Sequence, residues 1–157
     1  MNPYRQKPLR YPWPPVIYAS VLLTAWMAHK IEPLAMGWAN PFWMKSAGIA
    51  LLVTGVALDI WAIATLYRHH TTALPNRCAQ YLVTCGPFRI SRNPTYLGYT
   101  LAALGLGAFF DNGWMVAGAL ISAMITHAVV IRREEMHLLA RFGYDFERYR
   151  RSTRSWL

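Results

Sequence analysis

Four long apolar stretches, separated by polar and basic segments, constrain this sequence more than any other feature. They cover approximately residues 15–28, 46–67, 94–110 and 113–131. Of the 157 residues, 55% are hydrophobic and 15% are charged, whereas an average soluble domain has about 25% charged residues. A soluble fold of this length would lack the polar residues to cover its surface, and a bilayer removes that requirement. We therefore predict one all-α domain over residues 1–157, a polytopic helical membrane protein with about four transmembrane helices.

The ends of these stretches carry their own signals. A helical crossing usually needs about 20 residues, so we expect Trp13, His29 and Lys30 to complete the short first span at the two interfaces. Asp111-Asn112-Gly113 predicts a tight turn, which makes a hairpin of the last two spans. After the fourth span, residues 132–151 are typical of a polar amphipathic helix that leaves the membrane.

The basic residues predict the orientation of the chain. With four spans, fourteen of the sixteen Lys and Arg residues lie on one side of the membrane, and only Lys30 and Lys45 lie on the other. Cytoplasmic loops carry an excess of Lys and Arg. We therefore expect an integral membrane protein, in the bacterial inner membrane, with both termini cytoplasmic. Because the charges fall in blocks between apolar runs and not along one basic face, we do not expect a nucleic-acid partner.

The segment GPFRISRNPTYLG, Gly86 to Gly98, begins the third span. Asn93 is expected to cap this helix, and Pro94 suits the first helical position because it has no N–H to lose. The helix start, with Arg89 and Arg92 beside it, offers donors to an anion such as a carboxylate or a phosphate. The alternative is that these arginines contact only lipid headgroups.

Glu134 and Glu135 follow directly after the fourth span, on the same predicted side. Adjacent side chains on a helix point about 100° apart, so at most one of the two carboxylates faces a given ligand. That carboxylate would suit a cationic group. The alternative is that both pair with arginines such as Arg132 or Arg133 at the interface.

Two motifs give the chain a resemblance to a known family. LVTCGPFRISRNPTYLG (Leu82 to Gly98) and EEMHLLARFG (Glu134 to Gly143), with Tyr149 and the basic residues after it, resemble the isoprenylcysteine carboxyl methyltransferase and phospholipid methyltransferase superfamily of integral-membrane enzymes. The likeness covers about half of the chain, with the cofactor-binding part at about residues 70–157. It implies S-adenosylmethionine as cofactor and methyl transfer to a lipid or small hydrophobic acceptor.

The resemblance also implies which residues contact the cofactor. Carried over by position, they are Gln80, Tyr81, Leu82, Val83, Phe88, Arg92, Asn93, Pro94, Thr95, Tyr96 and Glu134. Glu134 would face the ammonium group, and the helix start would face the methionyl carboxylate. As catalytic residues we predict Glu134, Glu135, Arg133 and His127; His127 is the candidate general base, because it lies seven residues before Glu134 and so on its helical face.

The sequence departs from the family pattern at two positions. Asn93 stands where the family most often has His, so this residue can donate to a carboxylate but cannot transfer a proton. Val130 stands where the prenylcysteine enzymes carry the arginine that holds the substrate carboxylate, and Arg132 and Arg133 lie on other faces of the helix. A prenylated cysteine is therefore a less favoured acceptor than a membrane lipid.

Other polar residues leave further interpretations open. Asp59 lies within the second span and is either part of a substrate site or paired with Arg or His of a neighbouring span. His69, His70, Cys78 and Cys85 have no regular metal-ligand spacing, so we expect no metal site. Three alternatives to a methyltransferase remain: a membrane reductase related to the sterol reductases and using NADPH, a non-catalytic protein that keeps the fold, and a lipid-binding or transport module.

Overall fold

A computed structural model describes residues 13–37, 41–69 and 81–157, with the side chains of Trp13 and Pro41 excepted. The described residues are helical and contain no strand, which confirms the all-α class. A 3₁₀ helix, Gly86–Arg89, precedes α3, and a π-helical segment, Thr126–Ile131, joins α4 to α5. The α-helices are α1 (Trp13–Ile31), α2 (Pro41–Arg68), α3 (Pro94–Phe109), α4 (Gly113–Ile125), α5 (Arg132–Phe142) and α6 (Tyr144–Ser152).

Two helices in the described part of the chain are long and apolar enough to cross a membrane. They are Phe42–Arg68, which is nearly all of α2, and Gly113–Phe142, which runs through α4, the π-helical segment and α5. The 16 residues of α3 rise about 24 Å, against a hydrocarbon core of about 30 Å. Neither α1 nor α3 is among the helices that pass this test, so membrane crossing by these two helices remains a prediction.

The predicted turn between the last two apolar stretches is confirmed. Asp111 has a positive φ of 49°, and its carboxylate accepts a hydrogen bond of 2.9 Å from the amide of Met36. Asn112 caps α4, with its side-chain oxygen 3.1 Å from the amide nitrogen of Met115. The turn thus joins α3 and α4 and also binds the segment that follows α1.

The prediction of a single helix over residues 132–151 is wrong, because the helix is interrupted at Gly143. This glycine has a φ of +53°, a conformation that residues with a Cβ rarely adopt. Its amide donates to the carbonyl of Leu139 at 2.9 Å, and its carbonyl accepts from the amide of Glu147 at 3.1 Å. This interruption ends α5 and changes the direction of the chain before α6. The buried Tyr149 of α6 then contacts the 3₁₀ helix Gly86–Arg89.

The core lies between α1, α3 and α4. Tyr18, Ala103 and Ala119, one from each helix, form a buried apolar cluster. The Tyr18 hydroxyl lies 2.6 Å from the Thr100 hydroxyl, so this buried pair satisfies its own polar atoms. Outside this core, the exposed faces of α1 and α2 are largely apolar, as expected for surfaces that contact lipid.

Two pairs of glycines bring α2 and α3 into close contact. A Cβ atom built on Gly55 would lie 2.5 Å from the carbonyl oxygen of Gly98, and one built on Gly105 would lie 2.6 Å from the carbonyl oxygen of Gly48. The two glycines of each helix are seven residues apart, so they share a face. Small residues on such a face let membrane helices approach closely, and here they fix the position of α3.

We expect Gly55→Leu to destabilise the protein by at least about 1–3 kcal/mol, because the added atoms would overlap the backbone of α3. Thermal unfolding in detergent, followed by loss of helical circular dichroism, measures the change. Ala57→Leu is the matched control, since Ala57 is exposed on the same helix. A melting temperature of Gly55→Leu equal to that of the control would contradict the close approach.

Candidate active site at the start of helix α3

The start of α3 is built as the sequence predicts, except for the cap. Asn93 occupies the capping position and Pro94 the first turn. The Asn93 side chain does not cap the helix, however, and this part of the prediction is wrong. Its amide nitrogen donates instead to the carbonyl and the hydroxyl of Ser155, at 2.9 and 3.1 Å. The polar side chain therefore binds a distant segment and not its own helix.

Arg92 connects three parts of the chain. Its guanidinium forms a salt bridge of 2.6 Å with Glu135, and the two side chains are 10% and 23% exposed. The same guanidinium donates to the carbonyls of Arg150, at 3.0 Å, and Thr153. A charge-assisted pair with this little exposure is stronger than a surface pair. Arg92 therefore holds the start of α3, the first turn of α5 and the end of α6 together.

A C-terminal strap, Thr153–Trp156, lies across this region. The Ser91 hydroxyl donates to the carbonyl of Ser155 at 3.1 Å, and the Arg92 amide donates to the carbonyl of Arg154 at 2.9 Å. The Trp156 indole packs beside the buried cluster of Tyr96, Val130 and Ile131. Carbonyl groups of the strap therefore accept hydrogen bonds from Ser91, Arg92 and Asn93. From the sequence alone, donors in this segment were expected to be free to bind a ligand.

The two adjacent glutamates have different partners, as their helical angle predicts. Glu135 binds Arg92, whereas Glu134 accepts a hydrogen bond of 3.1 Å from the Tyr96 hydroxyl. The alternative pairing with Arg132 or Arg133 is not found among the described residues, whose salt bridges are Arg92–Glu135 and Arg151–Glu147. Glu134 is thus a partly buried carboxylate. Its hydrogen-bond donor, the Tyr96 hydroxyl, is neutral, and no basic side chain among the described residues forms a salt bridge with it.

Tyr149 supports the site from α6. Its hydroxyl donates to the carbonyl of Phe88 at 2.6 Å. Burial raises the pKa of this hydroxyl, and the nearby Arg92 guanidinium lowers it by less. Because its pKa stays above the ordinary value, Tyr149 remains a protonated donor at neutral pH and holds the Gly86–Arg89 turn in place.

The π-helical segment changes the relation between His127 and Glu134. Seven residues bring two side chains onto one face of an α-helix, but the wider turns of Thr126–Ile131 shift that phase. His127 contacts the strap: its Nδ1 accepts a hydrogen bond of 3.1 Å from the Trp156 indole. In the neutral ring the proton then lies on Nε2, so His127 presents a donor rather than a base in this arrangement.

The other predicted residues are distributed around this cluster. Tyr81 and Arg133 are exposed, Val83 and Pro94 are buried, and Leu82, Phe88 and Thr95 are partly buried. Gln80 lies outside the described residues. The polar cluster itself therefore comprises Arg92, Asn93, Tyr96, Glu134 and Glu135, together with the strap.

Asp59 lies next to this cluster on α2. It is close to Thr95, and a Cβ atom on Gly98 would lie 3.2 Å from its own Cβ. Its Oδ1 is buried and has no hydrogen-bond partner among the described residues. The Arg or His partner considered from the sequence is replaced by a threonine, so Asp59 borders the first turn of α3.

No group of three or more potential metal ligands occurs among the described residues. His69 Nε2 lies 3.2 Å from the Cys85 sulfur, whereas His70 and Cys78 fall outside the described ranges. The pair alone does not provide the four ligands of a structural zinc site.

The described part of the chain is all-α, with two helices long enough to cross a membrane and a polar cluster where α3 and α5 begin. This combination fits a helical membrane protein. The chain belongs to the phospholipid methyltransferase family, whose model matches residues 43–145. This match covers both motifs but not Tyr149 and the basic residues after it, and it confirms the predicted superfamily.

Two curated proteins similar to this chain carry different names. A probable protein-S-isoprenylcysteine O-methyltransferase of Oryza sativa subsp. indica is 24% identical over 143 residues, which are 89% of this chain and 75% of that protein. The nickel-cobalt-cadmium resistance protein NccN of Alcaligenes xylosoxydans xylosoxydans is 29% identical over 115 residues, which are 71% of this chain and 50% of that protein. The chain thus spans half of NccN. No solved structure matches the chain.

We expect Arg92→Ala to destabilise the protein more than Glu135→Gln, because it also removes the donor to the carbonyls of Arg150 and Thr153. Breaking a buried pair from one side costs about 3–5 kcal/mol, and the partial exposure of Glu135 reduces this to about 2–4 kcal/mol for Arg92→Ala. Chemical unfolding in detergent measures both changes.

The exposed pair Arg151–Glu147 supplies the control, since surface pairs contribute about 0–1 kcal/mol. If Arg92→Ala and Arg151→Ala lower the stability equally, Arg92 does not hold the three segments together.

Proposed function

We propose that the protein transfers a methyl group from S-adenosylmethionine to a lipid or small hydrophobic acceptor at the cytoplasmic face of a membrane. The observation that carries this proposal is the contact between the two motifs, where Tyr96 of the first binds Glu134 of the second. Membership of the phospholipid methyltransferase family supports the reaction class. The proposal includes four crossings in the bacterial inner membrane, with both termini cytoplasmic.

The residues at the start of α3 fit a ligand with one positive and one negative group. Glu134 is partly buried and receives only a neutral hydrogen bond, so a cationic ammonium group would offset the cost of its desolvated charge. The first-turn amides of Thr95 and Tyr96 have no intrahelical acceptor and lie at the positive end of α3. They suit the carboxylate of a methionyl group.

The other residues predicted to contact the cofactor can line its binding site or hold that site in place. Val83, Leu82 and Phe88 provide apolar surface for the adenine, with the exposed Tyr81 beside them. A cofactor contact of Gln80, which lies outside the described residues, is proposed from the family resemblance alone. Asn93 and Pro94 define where the helix starts. Arg92 has its guanidinium bound to Glu135 and to carbonyl groups, so we assign it the task of ordering the site around the cofactor.

Each proposed catalytic residue has a role that its contacts allow. Glu134 faces the cofactor, and Glu135 fixes the orientation of α5 through Arg92. Arg133 is exposed at the interface, where it can bind a negatively charged part of the acceptor. His127, whose Nδ1 accepts from the Trp156 indole, has its Nε2 N–H available to bind and orient a polar group of the acceptor other than the atom that receives the methyl group. The acceptor's own proton, where it has one, passes to water at the interface.

The bound cofactor would supply an electrophilic sulfonium methyl group. Charge on the sulfur is neutralised as the methyl group leaves, so a dry site favours the transition state over the charged reactant. Tyr96, Val130 and Ile131, all largely buried, exclude water behind Glu134. Under these conditions alignment of donor and acceptor contributes most of the rate, and strong acid or base catalysis is not required.

We expect S-adenosylhomocysteine to bind the purified protein and Glu134→Gln to weaken that binding at least about tenfold. The amide keeps the shape of the side chain but removes the charge-assisted hydrogen bond to the ammonium group, which contributes about 1.5–3 kcal/mol. Isothermal titration calorimetry measures both affinities.

Glu147→Gln is the matched control, because Glu147 is an acidic residue of α6 that binds Arg151 away from the site. If Glu134→Gln and Glu147→Gln bind S-adenosylhomocysteine with equal affinity, Glu134 is not part of the cofactor site. Binding of NADPH in place of S-adenosylhomocysteine would favour the reductase alternative.

The acceptor prediction rests on Val130. This side chain is fully buried beside Tyr96 and Ile131, so it offers neither charge nor access to a carboxylate. We expect labelled methyl groups to be transferred to membrane lipids or small hydrophobic acceptors, with little transfer to a farnesylcysteine analogue. A side-by-side assay tests this, and preference for the farnesylcysteine analogue would contradict it. In that case loss of the activity in Arg133→Ala would identify the residue that replaces the missing arginine.

A further inference from the structure

A concave region lies between α5 and α6. It has a volume of about 270 Å³ and is lined by Arg132, Glu135, Met136, Leu139 and Arg150. Except for Glu135, these side chains have no role in the methyl transfer proposed above. We call this region the α5–α6 groove.

The groove carries a net positive charge. The carboxylate of Glu135 is neutralised by Arg92, which leaves Arg132 and Arg150 to determine the local potential. Neither takes part in a salt bridge among the described residues. Arg92 binds Arg150 only through its main-chain carbonyl. Two arginine side chains that line the same groove suit a phosphate, which accepts several charge-assisted hydrogen bonds.

Two of the groove's lining residues are apolar. Met136 and Leu139 are 45% and 38% exposed and lie three residues apart, on one face of α5. Because α5 begins directly after the buried Ile131, where the predicted fourth span ends, these side chains lie near the expected level of the lipid headgroups. Exposed apolar side chains beside basic ones are typical of a surface that contacts the membrane interface.

We propose that the α5–α6 groove binds an anionic phospholipid of the surrounding membrane, with its phosphate between Arg132 and Arg150 and the start of an acyl chain against Met136 and Leu139. The volume is below that of a typical pocket for a drug-sized ligand, so it takes the phosphate region and not a whole lipid. The bound lipid is distinct from the methyl acceptor. It holds α5 and α6 on the membrane surface, next to the Arg92–Glu135 bridge.

The test is a lipid titration of the delipidated full-length protein in neutral detergent, followed by native mass spectrometry. We expect phosphatidylglycerol to be retained more tightly than phosphatidylcholine. In Arg132→Gln/Arg150→Gln the affinity for phosphatidylglycerol should fall about thirtyfold, which corresponds to about 1 kcal/mol for each basic residue near the membrane surface. The Arg150 substitution leaves its carbonyl available to Arg92.

Arg141→Gln/Arg148→Gln removes the same charge from exposed positions of the same two helices outside the groove, and should retain phosphatidylglycerol like the wild type. Equal losses in both double variants would overturn the proposal, as would unchanged affinity in Arg132→Gln/Arg150→Gln. Displacement of the lipid by an equal concentration of inorganic phosphate would show a free-phosphate site and would also overturn it. If the double variant does not fold, by circular dichroism, the single variants Arg132→Gln and Arg150→Gln decide by the same comparison.

Discussion

The salt bridge between Arg92 and Glu135 determines how the two polar motifs meet. Arg92 lies two residues before the start of α3, and Glu135 lies in the first turn of α5, so the bridge fixes the position of one helix start relative to the other. With Glu135 bound, the helical angle directs Glu134 towards Tyr96. The close packing of α2 and α3 through paired glycines gives Arg92 a rigid base. The polar cluster thus depends on the Arg92–Glu135 pair, in which the packing of α3 against α2 places Arg92 and the helical position of Glu135 in α5 places its carboxylate.

Much of this arrangement could be predicted from particular residues. The lengths of the apolar stretches predicted the long helices. Asp111 and Asn112 predicted the turn between α3 and α4, and Pro94 predicted the start of α3. The two motifs predicted the family, which the match to residues 43–145 confirms. These signals are local, because each depends on the chemistry of a few neighbouring residues. The catalytic and cofactor-binding assignments remain predictions that the proposed ligand titrations address.

The parts that the sequence did not predict depend on the backbone or on distant contacts. Arg92 binds the carbonyls of Arg150 and Thr153, and any residue has such a carbonyl, so no side-chain pattern announces the contact. The π-helical segment, Thr126–Ile131, consists of residues that also occur in α-helices, so the sequence did not indicate that the helix widens between His127 and Glu134. Gly143 did carry a signal, since a glycine within a polar helical pattern is a common point of termination.

The strap has a consequence for the order in which the protein is made. Ser155 and Trp156 bind Asn93 and His127, which are 62 and 29 residues earlier in the chain. Protein chains emerge from the ribosome in sequence order and begin to fold during synthesis. The membrane helices can therefore insert and pack while the region around Asn93 still lacks its last partners. These contacts of Asn93 and His127 can then form only after residues 155 and 156 have been synthesised, and a ribosome stalled before residue 155 would leave the packed helices without them.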